Sequence, residues 1–340
     1  GRDLAKAKPR VMVHDVSVEL SAGFEASAVV FYVAFAEDKD KGGFREDVLK
    51  QYLAVGAGTL VEAGYRNSMK ELFRGYVARV RFMHRQEYPM EIEVTALDAK
   101  GLMMSGVSAK QLKGRTWSAA VNEIFRQPRY DKATGEGILT GSMHIDSTPD
   151  RQHELNTLEF VEESDYEFVV KAARKCNFEF FIRCGDVYFR KAKAESGTLI
   201  TLSMAEGISS FDIAYDVTGL AQSVEVRGMN DSEGKLTKKA EKRSNKLWLS
   251  NKAQALLKGT TKVIIDPSVR SPEEATFRAE SEMERLSYRF GRLECTVTGL
   301  PELVPGRFIE IKGIGGPADN KFYLTEVVHA FSDKTGYETR

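Results

Sequence analysis

The residues of this chain that could do chemistry are three cysteines, five histidines and a short acidic run. Cys176, Cys184 and Cys295 could in principle form a redox pair or hold a soft metal. Cys176 and Cys184 are not spaced as C-x-x-C, however, and no histidine lies within twenty residues of either, so metal or redox spacing is missing. They read as small buried side chains. His14, His84, His144, His153 and His329 are scattered, with His84 and His329 in strand-like segments where packing is the commoner role. Glu162 and Glu163 beside Asp165 could supply the carboxylate pair of a glycoside hydrolase. Acids at the start of a helix are also stabilised by its partial positive charge, and that explanation fits these residues better. The run GIGGP (313–317) has the glycines of a phosphate loop, but no Lys-Ser/Thr follows and no helix opens behind it, so it reads as a strand turn. The expectation is a chain with no catalytic, cofactor-binding or metal-binding residue and no cofactor, which is not an enzyme.

The bulk composition names no small-molecule or nucleic-acid partner. With 340 residues, 49 basic against 49 acidic, 42% hydrophobic and 10% aromatic, the chain suits two or three well-packed domains and carries no global nucleic-acid footprint. The longest apolar run, SAVVFYVAFA at 27–36, is about half of what a membrane-crossing helix needs. It reads as a strand, and no membrane span is expected. The first ten residues are charged with no apolar segment behind them, so no secretory signal is expected. An odd cysteine count argues for synthesis in a reducing cytoplasm.

The elements that would position these residues are legible in places. Ser164 followed by Glu167 forms a capping box, and Phe168, Val169, Ala172, Ala173 and Cys176 recur behind it at helical spacing until Asn177 breaks the pattern. Phe178, Phe180 and Ile182 then alternate, a Cys-Gly-Asp turn follows, and Val187 and Phe189 alternate again, a hairpin signature. A further helix is predicted at 116–127 (TWSAAVNEIFRQ), and another begins at Ser271-Pro272 with Glu274. Residues 228–262 hold nine Lys or Arg against three acids, which reads as a basic, solvated surface insertion.

A repeat links the two ends of the chain. GTLVEA (58–63) matches GRFIEI (306–311), GYVARVRFMH (75–84) matches FYLTEVVHAF (322–331), and EY at 87–88 falls opposite GY at 336–337. Segments rich in β-branched residues precede each copy: VMVHDVSVEL and SAVVFYVAFA before the first, LAQSVEVRG and RLECTVTGL before the second. The reading is mainly β with α+β insertions, two similar β-barrel domains flanking a smaller α+β middle region. The boundaries are 1–100 for the first barrel, 101–210 for the middle region with helix 116–127 and the helix plus hairpin at 164–191, and 211–340 for the second barrel with the insertion 228–262.

The run ESDYEFVVKAARKCNFEFFIRCGDVYF, the strand GYVARVRF leading to IEVTALD, and the closing LVPGRFIEIKG with YLTEVVHAFSDKTGYET resemble the baseplate hub family of contractile tails. That family includes the phage late control gene D proteins and the hub halves of type VI secretion spike proteins (VgrG-like). The resemblance runs from about residue 55 to the end, while residues 35–53 match no part of the pattern. It implies two tube barrels per chain and a homotrimer, with the tail tube protein on one face, a spike protein on the other and other baseplate proteins around it. It also implies a virion or tail-like particle, with no specific nucleic acid. The chain stops at GYETR without the further barrel and needle of type VI spike proteins. The spike is therefore expected from a separate chain, and the alternative is the truncated hub portion of such a spike protein. A cell-wall hydrolase associated with a tail and a nucleic-acid-binding module are the readings from other classes.

Overall fold

The computed structural model describes residues 3–7, 11–34, 43–66, 68–84, 86, 90–112, 116–130, 137–148, 158–230, 235–242, 250–267, 269 and 272–340. The chain is mainly β, as its alternating patterns predict, and its largest element is an antiparallel sheet. The strands are β1 (Met12–Ser21), β2 (Ala28–Ala34), β3 (Gly58–Tyr65), β4 (Ser68–Met83), β5 (Glu91–Leu97), β6 (Ser108–Leu112), β7 (Met143–Ile145), β8 (Leu158–Glu163), β9 (Phe178–Arg183) and β10 (Asp186–Lys191). They continue as β11 (Thr198–Ser203), β12 (Ile208–Tyr215), β13 (Ser223–Asn230), β14 (Lys235–Lys242), β15 (Thr261–Ile265), β16 (Gly291–Thr298), β17 (Phe308–Lys312), β18 (Lys321–Tyr323), β19 (Glu326–Ser332) and β20 (Gly336–Thr339). The helices are α1 (Glu46–Tyr52), α2 (Ala99–Met103), α3 (Trp117–Phe125), α4 (Asp165–Cys176), α5 (Asn251–Leu256) and α6 (Pro272–Tyr288).

Two compact units emerge, and both are discontinuous in sequence. The first holds residues 1–209, 296–310 and 323–340, the second residues 210–295 and 311–322. This differs from three consecutive regions at 1–100, 101–210 and 211–340. The physical reason is strand β1, which pairs with β2 on one edge and with β19 on the other, from Val16 opposite Phe331 to Ser21 opposite Glu326. A central strand needs a ladder on both edges, so the C-terminal strands belong with the N-terminal ones.

Within the first unit the strand order runs β20-β19-β1-β2-β5-β4-β3, and Val297 and Thr298 at the end of β16 pair with Thr339 and Glu338 of β20. Alternate residues point to one face, so Val18 and Leu20, Val29, Phe31 and Val33, and Ile92, Val94 and Ala96 build one buried core with Leu72, Phe73 and Val77. Gly75 sits where a Cβ would come 2.1 Å from the Leu97 carbonyl oxygen, so β4 and β5 approach this closely only with glycine there. The predicted helix and hairpin form α4, β9 and β10. Ser164 caps α4 with a full capping box, Asn177 ends it at φ 51°, and Cys184-Gly185 make a two-residue turn with both φ positive, the geometry of a type I′ hairpin.

The second unit is a sheet in the order β14-β13-β15. Helix α6 packs on it through Ala275, Ala279, Met283 and Leu286 against Val224 and Val226. The segment LAQSVEVRG, expected as a strand of the second barrel, is β13 in this sheet; ISSFDIAY (β12) lies beside β16 instead. Both segments are β-formers, and only tertiary pairing separates them. The basic insertion is not a solvated loop where it is described. It supplies β14, α5 and β15, the last parallel to β13, while its residues 231–234 and 243–249 lie outside the described residues. Pro272 at the start of α6 stands as predicted; Ser271 is outside the described residues.

Leu20, buried in the core, and Leu60, 45% exposed on β3, form a matched pair for testing this architecture. Leu20→Ala is expected to cost about 2–5 kcal/mol and Leu60→Ala less than about 0.5 kcal/mol, read from urea unfolding followed by tryptophan fluorescence.

Candidate assembly surface

The residues weighed for chemistry are tied to their own neighbours. Among the described residues, no group of three or more His, Cys, Asp or Glu is placed to hold a metal. Burial pushes the Cys176 thiol up to about 12 and the Cys184 thiol to about 11, and it also raises Cys295, the opposite of an activated thiolate. Cys184 Sγ donates to the Glu71 carbonyl at 3.3 Å. Glu163 pairs with Lys171, whereas the buried Asp165 accepts from Arg129, from the Tyr130 hydroxyl at 2.8 Å and from Gln127 Nε2 at 3.3 Å. Glu162 stands at φ 49°. In the GIGGP turn the backbone N–H groups of Gly313, Ile314 and Gly315 donate to the Asp319 carboxylate at 3.2, 2.9 and 2.8 Å. This nest of donors is thus filled by the chain itself, and these bonds hold Asp319 below the usual carboxylate range.

The histidines are not brought together. His14 stacks on Tyr32, with ring centroids 5.7 Å apart, and its Nδ1 reaches Asp15 at 2.9 Å. His144 stacks on Tyr188 at 4.5 Å, His84 is exposed, and His153 lies outside the described residues. His329 is fully buried; its Nε2–H donates to the Leu303 carbonyl at 3.0 Å, and the Tyr337 hydroxyl lies 2.9 Å from its Nδ1. Burial lowers its pKa to about 4, so the ring is neutral around pH 7.

The aromatic hairpin braces the first unit. Phe180, Phe181 and Phe189 are fully buried. Arg190 lies over the rings of Phe181 and Tyr188, each about 5.1 Å from its guanidinium carbon, pairs with Glu179 and Glu195, and donates through Nη2 to the Gly306 carbonyl at 2.8 Å. Gly306 has φ 83°, and a Cβ there would meet Phe181 at 2.8 Å, which explains the glycine of LVPGRFIEI. The Tyr323 hydroxyl donates to Glu179. A second brace was not anticipated from the sequence. Lys100, fully buried, donates through Nζ to the Gly23 carbonyl at 2.8 Å and the Glu25 carbonyl at 2.6 Å, while Asp98 accepts from the N–H groups of Ser27 and Lys100 at 2.9 Å each. Burial pushes the Asp98 carboxyl up and the Lys100 ammonium down. Asp before a short helix was the one available signal, since Asp98 caps α2.

These braces position a strand arrangement that occurs twice. One run reads β1-β2-β5-β4-β3 and the other β12-β16-β20-β19. In the second run β17 attaches to the residues just before β19, with Gly306 N–H donating to Leu324 O at 2.9 Å and Leu324 N–H to Arg307 O at 2.8 Å. Each copy therefore follows the order first, second, fifth, fourth, third strand. The sequence matches fall at equivalent places, β3 with β17 and β4 with β18 and β19. The match at 87–88 lies outside the described residues.

The family described as the Alg8 N-terminal domain matches residues 49–333. The chain belongs to that family. No curated protein matches the sequence. Among solved structures, the 43 kDa tail protein of prophage MuSo2 from Shewanella oneidensis is 13% identical with a TM-score of 0.70, over 97% of this chain and 96% of that one. The tail protein from Neisseria meningitidis MC58 is 13% identical with a TM-score of 0.67, over 97% and 94%. An Escherichia coli component of the type VI secretion system, described as structurally similar to T4 bacteriophage tail proteins, is 13% identical with a TM-score of 0.62, over 97% and 72%. At such identities the likeness is one of fold, and this family member shares the fold of those proteins nearly end to end. No helix among the described residues is long and apolar enough to cross a membrane.

Two predictions follow from the buried charges and the buried imidazole. Lys100→Met leaves the Gly23 and Glu25 carbonyls without their donor, while Asp98 keeps its two backbone N–H donors, and is expected to cost about 1–3 kcal/mol; the urea midpoints of the variant and the parent protein check this. An unfolded histidine near 6.5 takes up a proton that folded His329, near 4, refuses. Stability is therefore full above about 6.5 and falls as pH drops toward 4, by on the order of 1.4 kcal/mol per pH unit within that window. His329→Gln should flatten this loss between pH 7 and pH 5 in thermal unfolding.

Proposed function

We propose that this chain is a structural baseplate hub of a contractile phage tail or tail-like injection system. It acts as a homotrimer that joins a six-fold tail tube to a three-fold spike. The observation that carries this reading is the doubled strand order inside one polypeptide. Closed cyclic assemblies need matching patches around the ring. A chain holding two equivalent strand sets offers two near-equivalent patches, so three copies present six. Each set is read as one tube barrel, with the tail tube protein on one face of the ring, the spike on the other and further baseplate proteins at the rim. The near-complete likeness to phage tail proteins supports a place in a virion tail or tail-like particle, assembled in the bacterial cytoplasm.

In this reading the chain turns nothing over. Asp165, Cys184 and His329 are engaged in hydrogen bonds within the chain, which suits a scaffold. The second reading, the hub portion of a type VI spike protein, is favoured by one observation: this chain spans 97% of itself but 72% of the longer Escherichia coli component.

Light scattering on the purified chain tests the proposal. The expected result is a mass three times the 38.0 kDa of one chain, together with no clearing of cell-wall material on a zymogram. A monomer at every concentration with wall-cutting activity would falsify the hub reading in favour of a hydrolase.

A further inference from the structure

The small sheet of the second unit has one face packed on a helix and, among the described residues, one edge without a neighbour. Strand β13 is central, with β14 antiparallel on one side and β15 parallel on the other, from Ser223 opposite Thr261 to Arg227 opposite Ile265. Val224, Val226 and Ile264 pack with the residues of α6. By alternation along each strand, Glu225, Arg227, Val263 and Ile265 belong to the opposite face.

The bonds at the two ends of the β13–β15 ladder fix which way the backbone of β15 points. Ser223 N–H donates to the Thr260 carbonyl at 3.2 Å, and Asp266 N–H donates to the Arg227 carbonyl at 2.9 Å. The N–H and C=O of one residue in a strand share an edge, and successive residues alternate between edges. Lys262 and Ile264 therefore serve the ladder to β13. Thr261, Val263 and Ile265 present their N–H and C=O groups to the far edge, where no strand stands among the described residues.

The same three residues are exposed, Val263 to 45% and Ile265 to 73%. An edge strand left in water is usually blunted by lysine or proline. Strand β14, KLTKKAEK, at the opposite edge has four lysines. The outward residues of β15 are Thr, Val and Ile, uncharged and β-branched, the types that suit a pleated surface. Its one lysine, Lys262, is committed to α6, with Nζ 2.5 Å from Glu282. Charge then selects the partner. The chain is balanced overall, 49 basic against 49 acidic, but residues 228–262 hold nine Lys or Arg against three acids, and residues 250–265 hold three lysines and no acid. Lys252 and Lys258, just before β15, are exposed. A basic edge attracts an acidic strand and disfavours a second copy of itself, which would set like charges side by side.

We propose that the free edge of β15 binds an extended, acidic segment of a different protein, which joins this sheet as a further strand. The backbone groups of Thr261, Val263 and Ile265 hold the segment, as in other cases of strand addition. Val263 and Ile265 select apolar residues at alternate positions, and the lysines before β15 select acids. The site lies wholly within the second unit, so it does not depend on how many copies of the chain assemble.

The test pans a displayed library of random peptides of about ten residues on the immobilised full-length protein. The enriched sequences are then measured as synthetic peptides by fluorescence anisotropy. The expected winners alternate β-branched residues with Asp or Glu, and salt at about 0.5 M weakens their binding. Proline at 263 removes an outward N–H and no ladder bond. Val263→Pro should therefore keep the near-ultraviolet circular dichroism of the parent and lose at least tenfold in affinity. Ile265→Glu, which leaves every backbone bond in place, should also lose at least tenfold, and Ile265→Lys less. This pair decides the matter if the proline variant does not fold. Failure to enrich any peptide, enrichment without acids, equal binding by the parent and Ile265→Glu, or equal loss in Ile265→Glu and Ile265→Lys overturns the proposal. A light-scattering mass that falls in the Ile265 variants relative to the parent assigns the edge to a second copy and also overturns it.

Discussion

A β-strand in the middle of a sheet must find hydrogen-bond partners on both edges, and in this protein the strand that decides the rest is β1. Its near partner β2 follows after a short turn, but its far partner β19 is the penultimate strand of the chain. The joint extends one step beyond the strands, where Ala22 N–H donates to the Thr325 carbonyl at 2.9 Å. Closing so long a loop carries an entropic cost that grows only slowly with its length, yet it makes the contact order high and the sheet slow to complete. The two ends of the polypeptide therefore stabilise one another, and neither terminal segment can satisfy its backbone alone.

The turns beside that joint are held by buried charges. Lys100 grips the carbonyls of Gly23 and Glu25 just past β1, and Arg190 grips the Gly306 carbonyl just before β17. Burying a charge costs desolvation energy unless it is surrounded by acceptors, so both side chains act only in a single geometry. An apolar residue could fill the same volume, but it could not name which carbonyl to hold. The aromatic hairpin supplies the low-dielectric wall against which these cations stand, with Phe180 5.5 Å from Lys100 Nζ and Phe181 beneath Arg190. Helix α4 and its hairpin are thus parts of the frame that sets the strands in place.

The residue types that do chemistry in enzymes also serve as caps, ion pairs and packing groups. Several polar groups weighed for chemistry have partners within the chain. Asp165 is ringed by Arg129, Tyr130 and Gln127, the nest of GIGGP holds Asp319, and the thiols are pushed up by burial. What the first unit leaves incomplete is backbone: half of one long strand, β4, without a neighbour on one side among the described residues.

Local chemistry was readable from the residues alone wherever the signal spans a few positions. The capping box of Ser164 and Glu167, the Cys184-Gly185 turn, helix α3 and the proline start of α6 all stand where their patterns put them, because caps, turns and periodicity are short-range physics. The repeat was readable too, since equivalent strands keep equivalent alternation. What the sequence could not say is which strand pairs with which. LAQSVEVRG and ISSFDIAY are equally good strands, and only packing on α6 sends the first to one sheet while hydrogen bonding to β16 sends the second to another. The same holds for Lys100, an ordinary lysine until Gly23 and Glu25 fold over it. Pairing and burial are decided by residues tens to hundreds of positions away, and no local pattern encodes them.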